Sequence, residues 1–218
     1  MKTKQSIVVN YFLIILFSFA LLNTSMAQAS IIVDTSGSPM VNKVAGNTGL
    51  KTIILAAVGG STGAVIGRHM DMQADEIKVA LPDVRVERVG EGIVIEFNDK
   101  ILFGFDKSKL TKKARISLTK LNEIFKKYPD TNIEVQGHTD DMGTMKYNQA
   151  LSERRASAVI GNLSENDIPT SRLTLKGFGE TLPKYTNKTE VGHTQNRRVE
   201  LLLSANTKMI ADATVEAK

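Results

Sequence analysis

The sequence predicts an α/β (α+β) fold, a sandwich of one mixed sheet with helices on one face. Three observations carry that reading. Short alternating or apolar runs at 84–89, 93–97, 132–137, 173–176 and 197–203 have strand character. Two longer runs between them, about 110–128 and about 147–163, place apolar residues at helical spacing. Strands that alternate with long helices form a sheet covered by those helices, not a pair of stacked sheets.

Each element has a local cause. Residues 84–89 and 93–97 alternate on either side of Gly90-Glu91-Gly92, a hairpin pattern. Another apolar piece follows at 101–105. In the first helix Leu110, Ala114, Leu118, Leu121 and Phe125 share a face, and Pro129 stops it. The strand NIEVQG (132–137) runs into a polar loop and then the second helix. A strand at 173–176 turns at Gly177-Phe178-Gly179, and 197–203 (RRVELLL) closes the sheet. The domain is expected over 84–204, with 205–218 a flexible polar tail.

Upstream, Lys2 and Lys4 precede an apolar run, and small residues follow up to Ala29, the pattern of an export signal over 1–29. Cleavage after Ala27 or Ala29 fits, and a retained anchor is the other reading. Residues 30–49 form a linker rich in Gly, Ser, Thr and Asn. The uncharged run TIILAAVGGSTGAVIG (52–67), inside an apolar segment 50–68, repeats glycine at 59, 63 and 67. On a helix that spacing opens one face to close approach by another backbone. Membrane association is expected, against a soluble apolar helix or hinge. Residues 69–83 read as a connecting helix that ends before Pro82-Asp83.

Composition narrows the function. The chain has 218 residues, 42% hydrophobic, and a formal charge of +5. With no Trp, 6% aromatics and no basic block, nucleic-acid binding is not expected. The absence of Cys removes disulfides, thiolate metal sites and a cysteine nucleophile, and also a lipid on an N-terminal Cys. No HExxH pattern appears, and Ser152 beside Glu153 lacks a GxSxG elbow, so no enzyme, metal or cofactor is expected.

The informative stretch is HTDDMGTMKYNQALSERRA (138–156). Loops at the carboxyl ends of strands, beside a helix N-terminus, are where such folds bind ligands. Thr139, Asp140, Asp141 and Gly143 occupy that loop. At about 100° per residue, Arg155 falls only about 40° from Leu151, inside the apolar arc, and Asn148 shares its face. A carboxylate and a guanidinium in one pocket suit a zwitterion, since Arg presents a planar fork to a carboxylate and Asp accepts from an ammonium. An internal salt bridge, or an acid elsewhere in the fold, explains a buried Arg equally well.

These residues also resemble the signature of the OmpA-like peptidoglycan-binding family, which includes peptidoglycan-associated lipoproteins and the stator protein MotB. The likeness extends over 93–203, through Phe105-Asp106-Lys107-Ser108, RLTLKGFGETLP (172–183), and Asn187, Gly192 and NRRVE (196–200). It implies a βαβαβ sandwich that binds the diaminopimelate of the wall stem peptide. By resemblance Asp140 and Arg155 hold the ligand, Thr139 and Asn148 line the site, and Phe105-Asp106 closes one side. Arg198 is expected to pair with an acid and is retained among the binding candidates. The front half is similar to envelope proteins in which a glycine zipper precedes this domain. The expected role is a non-catalytic anchor between outer membrane and wall, on the periplasmic face, with peptidoglycan and outer-membrane proteins as partners. The alternative is an assembly or adhesin subunit that homo-oligomerises through its zipper. A proton-conducting stator is not expected, because neither apolar run holds Asp or Glu.

Overall fold

A computed structural model describes residues 58, 60–104 and 107–218. The expected export signal, the linker and the first part of the apolar segment lie outside the described residues, as do Phe105 and Asp106.

Five strands form one mixed sheet in the order β1-β2-β5-β3-β4. They are β1 (Arg85–Val89), β2 (Gly92–Asn98), β3 (Thr131–His138), β4 (Leu173–Gly177) and β5 (Arg198–Ala205). β3 and β4 are parallel and the other neighbours antiparallel. Register fixes the two faces. Ile93, Leu203 and Ile133 align, as do Phe97, Val199 and Gly137, and these face the helices. The intervening residues, including Glu96, Arg198, Glu200 and His138, face the other way.

Two helices cover the apolar face as the sequence predicts. We number the described helices in chain order: α1 (Gly60–Ala80), α2 (Asp99–Leu102), α3 (Lys112–Lys127), α4 (Met145–Glu165), α5 (Glu190–Asn196) and α6 (Thr207–Glu216). Thr111 caps α3 by accepting from Ala114 N at 3.0 Å, and Leu118, Leu121 and Phe125 are buried. Arg172 then ties the end of α3 to the start of β3. It donates to the carbonyls of Phe125, Tyr128 and Thr131 at 2.8–2.9 Å. The opposite face of the sheet is polar near its β5–β3 end. There Phe178 stacks on His138 with centroids 5.3 Å apart, and the Leu182 carbonyl and Lys184 reach Arg198 and Glu96.

The ends of the chain depart from expectation. The second half of the apolar segment and the connecting helix are one continuous helix, α1. It buries Val65, Ile66, Met70, Ala74 and Ile77 in the same core as the sheet, so residue 84 is not the edge of that core. The periodicity was spread across a stretch whose glycines and charges masked it. At Gly63 an added Cβ would lie 2.1 Å from the Val58 carbonyl oxygen of the same chain. Among the described residues, no helix is long and apolar enough to cross a membrane. The tail expected to be flexible forms α6. Asn206 caps it, accepting from Met209 N at 2.9 Å, and Met209 and Ala213 are buried where it packs on α1.

Candidate functional site

The site lies at the carboxyl end of β3, where the chain leaves the sheet at Thr139 and Asp140. Gly143 adopts φ 105°, a conformation open to glycine, and Thr144 caps α4. The first turns of α4 then present Asn148, Leu151 and Arg155 inward. The seat of α4 is unusually close. An added Cβ at Gly137 would lie 2.1 Å from the Ser152 carbonyl oxygen, and one at Gly177 2.8 Å from Ser152 Oγ. That hydroxyl donates to Gln149 O at 2.8 Å and accepts from Gly179 N at 2.9 Å. The Gly179 carbonyl in turn accepts from Thr139 N at 2.8 Å. Ser152 therefore locks α4, the turn at Gly179 and the loop after β3 together.

Between these elements is a hollow of about 260 Å³. Asp140, Arg155, Thr139, Asn148, Asp99 and Arg197 line it, with Met142 and Tyr147 at its rim. Arg155 is 2% exposed and Asp140 5%. Arg155 donates to Asp99 Oδ2 at 3.1 Å and to the Lys107 carbonyl at 3.1 Å, and its guanidinium sits 5.3 Å from the centre of the Phe103 ring. Asp140 Oδ2 takes Arg197 Nη1 at 2.5 Å, and Arg197 Nε lies 3.6 Å from Asp99 Oδ2. The chain Arg155–Asp99–Arg197–Asp140 balances two cations against two acids. Burial pushes the Asp99 carboxyl above the ordinary carboxylate range, while Arg155 and Arg197 pull it back. His193 Nδ1 faces Asp141 Oδ1 at 3.3 Å on the outer side.

Thr139 and Asn148 act on the loop backbone. The Thr139 hydroxyl donates to the Asp140 carbonyl at 2.8 Å, and Asn148 Nδ2 reaches the same oxygen at 3.3 Å. Glu180 accepts from Asn148 at 2.5 Å. Four of the residues expected from the sequence therefore meet in one hollow. Arg198 does not. It is buried in an ion pair with Glu200 at 2.8 Å on the opposite face of the sheet. Its neighbour Arg197 takes the position by the hollow, because successive residues point to opposite faces. Asp99 and Arg197 were missed. Strand parity signals both: Asp99 continues Ile93, Ile95 and Phe97, and Arg197 precedes Val199 and Leu201 by two-residue steps. The buried Arg155 has its acid elsewhere in the fold, Asp99, and it borders the hollow beside Asp140.

A model of the OmpA family matches residues 102–197. Outer-membrane lipoprotein YfiB of Pseudomonas aeruginosa is 34% identical over 134 residues, covering 62% of this chain and 79% of that one. Peptidoglycan-associated lipoprotein of Brucella melitensis biotype 1 is 31% identical over 114 residues, covering 52% and 68%. The solved cell wall anchor of the T6SS from Pseudomonas aeruginosa superimposes with a TM-score of 0.55 at 26% identity, covering 61% of this chain and 99% of that one. Other relatives are much longer: the match spans 16% of Photosystem I P700 chlorophyll a apoprotein A2 from Gloeobacter violaceus and 35% of Outer membrane porin F from Pseudomonas fluorescens. The chain belongs to the OmpA family.

Proposed function

We propose that this protein is a non-catalytic cell-wall anchor of the bacterial envelope. Its hollow takes the zwitterionic amino-acid end of diaminopimelate in a peptidoglycan stem peptide. One observation carries the reading: a carboxylate and a guanidinium, Asp140 and Arg155, border the same open cavity. At about 260 Å³ that cavity is smaller than the ~300–1,000 Å³ of drug-sized sites and suits a single head group. The ligand carboxylate meets the Arg155 fork, with Arg197 adjacent, and the ammonium meets Asp140. Because the four protein charges balance, a zwitterion enters without leaving a net buried charge. Thr139 and Asn148 hold the Asp140 loop in place. Two relatives support the class of ligand and the setting: one is named a peptidoglycan-associated lipoprotein and one structure a cell wall anchor. The YfiB relative, named an outer-membrane lipoprotein, supports an outer-membrane setting, although this chain has no Cys to carry a lipid. The export signal expected over 1–29 supplies the route out of the cytoplasm, and the apolar segment expected over 50–68 the membrane side.

The test is sedimentation of the protein with purified sacculi, competed by free meso-diaminopimelate. Binding that the free amino acid displaces supports the reading. Binding that it leaves untouched, or no binding at all, overturns it.

A further inference from the structure

Residues 100–115 hold six Lys and Arg against one acid, an excess equal to the +5 of the entire chain. The rest of the protein is balanced. The fold concentrates this excess. Thr111 N donates to Leu102 O at 2.9 Å and Phe103 bridges to Leu110, which folds α2 back beside the start of α3. Lys107, Lys109, Lys112 and Arg115 are exposed there. Among the described residues, no ion pair takes up any of these four. Several exposed charges elsewhere are matched: Asp71 meets Arg88, Asp75 meets Lys78, and Glu76 meets Lys127. The patch also begins at the wall of the ligand hollow, because the Lys107 carbonyl is the one that accepts from Arg155 Nε.

An unmatched basic lip beside a pocket for one head group implies a ligand with further anionic groups close by. A peptidoglycan strand carries many stem peptides, each with free carboxylates. We propose that Lys107, Lys109, Lys112 and Arg115 dock the carboxylates of stem peptides neighbouring the one in the hollow, so that a single domain grips the wall at two places. This rests on the wall-binding reading. The lip adds a salt-sensitive contact and speeds encounter, while the hollow supplies selectivity.

The test compares the full chain with a K107Q/K109Q/K112Q/R115Q variant, all on exposed positions. Each is sedimented with sacculi at about 50 and about 300 mM salt, concentrations that span the main change in screening length. Each is also titrated with one soluble stem peptide. The variant is expected to bind sacculi about tenfold more weakly at the lower salt, the product of several weak exposed contacts, with a flatter salt dependence. Its affinity for the single stem peptide is expected to equal wild type. Equal sacculus binding and equal salt dependence overturn the lip while leaving the hollow standing. Failure of the wild type to bind either ligand overturns the wall reading itself. Vesicles of phosphatidylethanolamine with phosphatidylglycerol form the last arm. If the four cations matter there and not on sacculi, the lip reads a lipid surface and the proposal fails.

Discussion

Gly137→Ala probes whether the seat of α4 sets the binding geometry. The new Cβ would lie 2.1 Å from Ser152 O, 2.8 Å from Ser152 C and 3.1 Å from its Cα. All three are backbone atoms, so no side chain can swing aside. Restoring ordinary carbon–oxygen contact needs a retreat of the helix by roughly 1 Å or more, since good contacts lie near ~3.5 Å. Overpacking of this kind costs about 1–3 kcal/mol, and a backbone obstacle puts it at the upper end. At roughly 2–4 °C per kcal/mol for a chain of this size, the midpoint should fall by about 6–12 °C. The same retreat carries Arg155 away from Asp99 and from the ligand carboxylate, so affinity for a stem peptide should fall by about tenfold or more. Gly161→Ala is the control on the same helix. Its Cβ would meet nothing within 4 Å, so it should be neutral or stabilising by about 0.5–1 kcal/mol. Thermal unfolding followed by circular dichroism, with calorimetric titration of the peptide, reads both. If Gly137→Ala melts and binds like wild type, the close seat does not govern the site and the reasoning is refuted.

His138 makes a pH prediction. Burial, with Arg198 and Lys184 nearby, pushes its pKa down to about 2. The unfolded chain takes up that proton below about 6.5 while the native protein does not, so this contribution to stability is present above 6.5 and lost as pH falls. At pH 5 the loss is about 2 kcal/mol. Urea unfolding of His138→Gln should show a flatter slope between pH 6.5 and 5, and an unchanged slope contradicts the assignment. Arg172→Ala should cost about 3 kcal/mol by removing the guanidinium bonds to three carbonyls at the α3–β3 junction, and Arg172→Lys should recover little because a point charge does not span them. Denaturant midpoints check both. Removing residues 206–218 should uncover the α1 surface against which Met209 and Ala213 pack and lower the melting midpoint, whereas a midpoint equal to the full chain would mean that α6 adds nothing.

Much of this was legible in the sequence because periodicity reports burial. The arc shared by Leu151 and Arg155 placed a guanidinium on the inner side of α4, and the structure buries it at 2% exposure. The loop from Thr139 to Asp141 was legible from its position after a strand. Arg197 was overlooked because two adjacent arginines look alike until strand parity separates them. Asp99 was overlooked because it follows β2 at a distance in sequence of 56 residues from its partner, and only the sheet register brings them together. Helix α6 was hidden by its polar, Ala-rich composition. Its docking rests on Met209 and Ala213, helped by half-buried Ile210 and by the Arg68–Glu216 pair to α1, which no local pattern reveals. The continuity of α1 was obscured by glycines that weaken helical propensity in isolation but are carried by tertiary packing.

The central claim is tested most directly by titrating a meso-diaminopimelate stem peptide into wild type and Asp140→Ala at matched folding. Arg197 keeps Thr194 at 2.9 Å and Asp99 at 3.6 Å when Asp140 is removed, so the fold should stand and circular dichroism should confirm it. The account predicts saturable binding to wild type and at least a hundredfold loss in the variant, in line with the ~2–5 kcal/mol lost on truncating one partner of a buried charge pair. Equal affinity for the two proteins would contradict it.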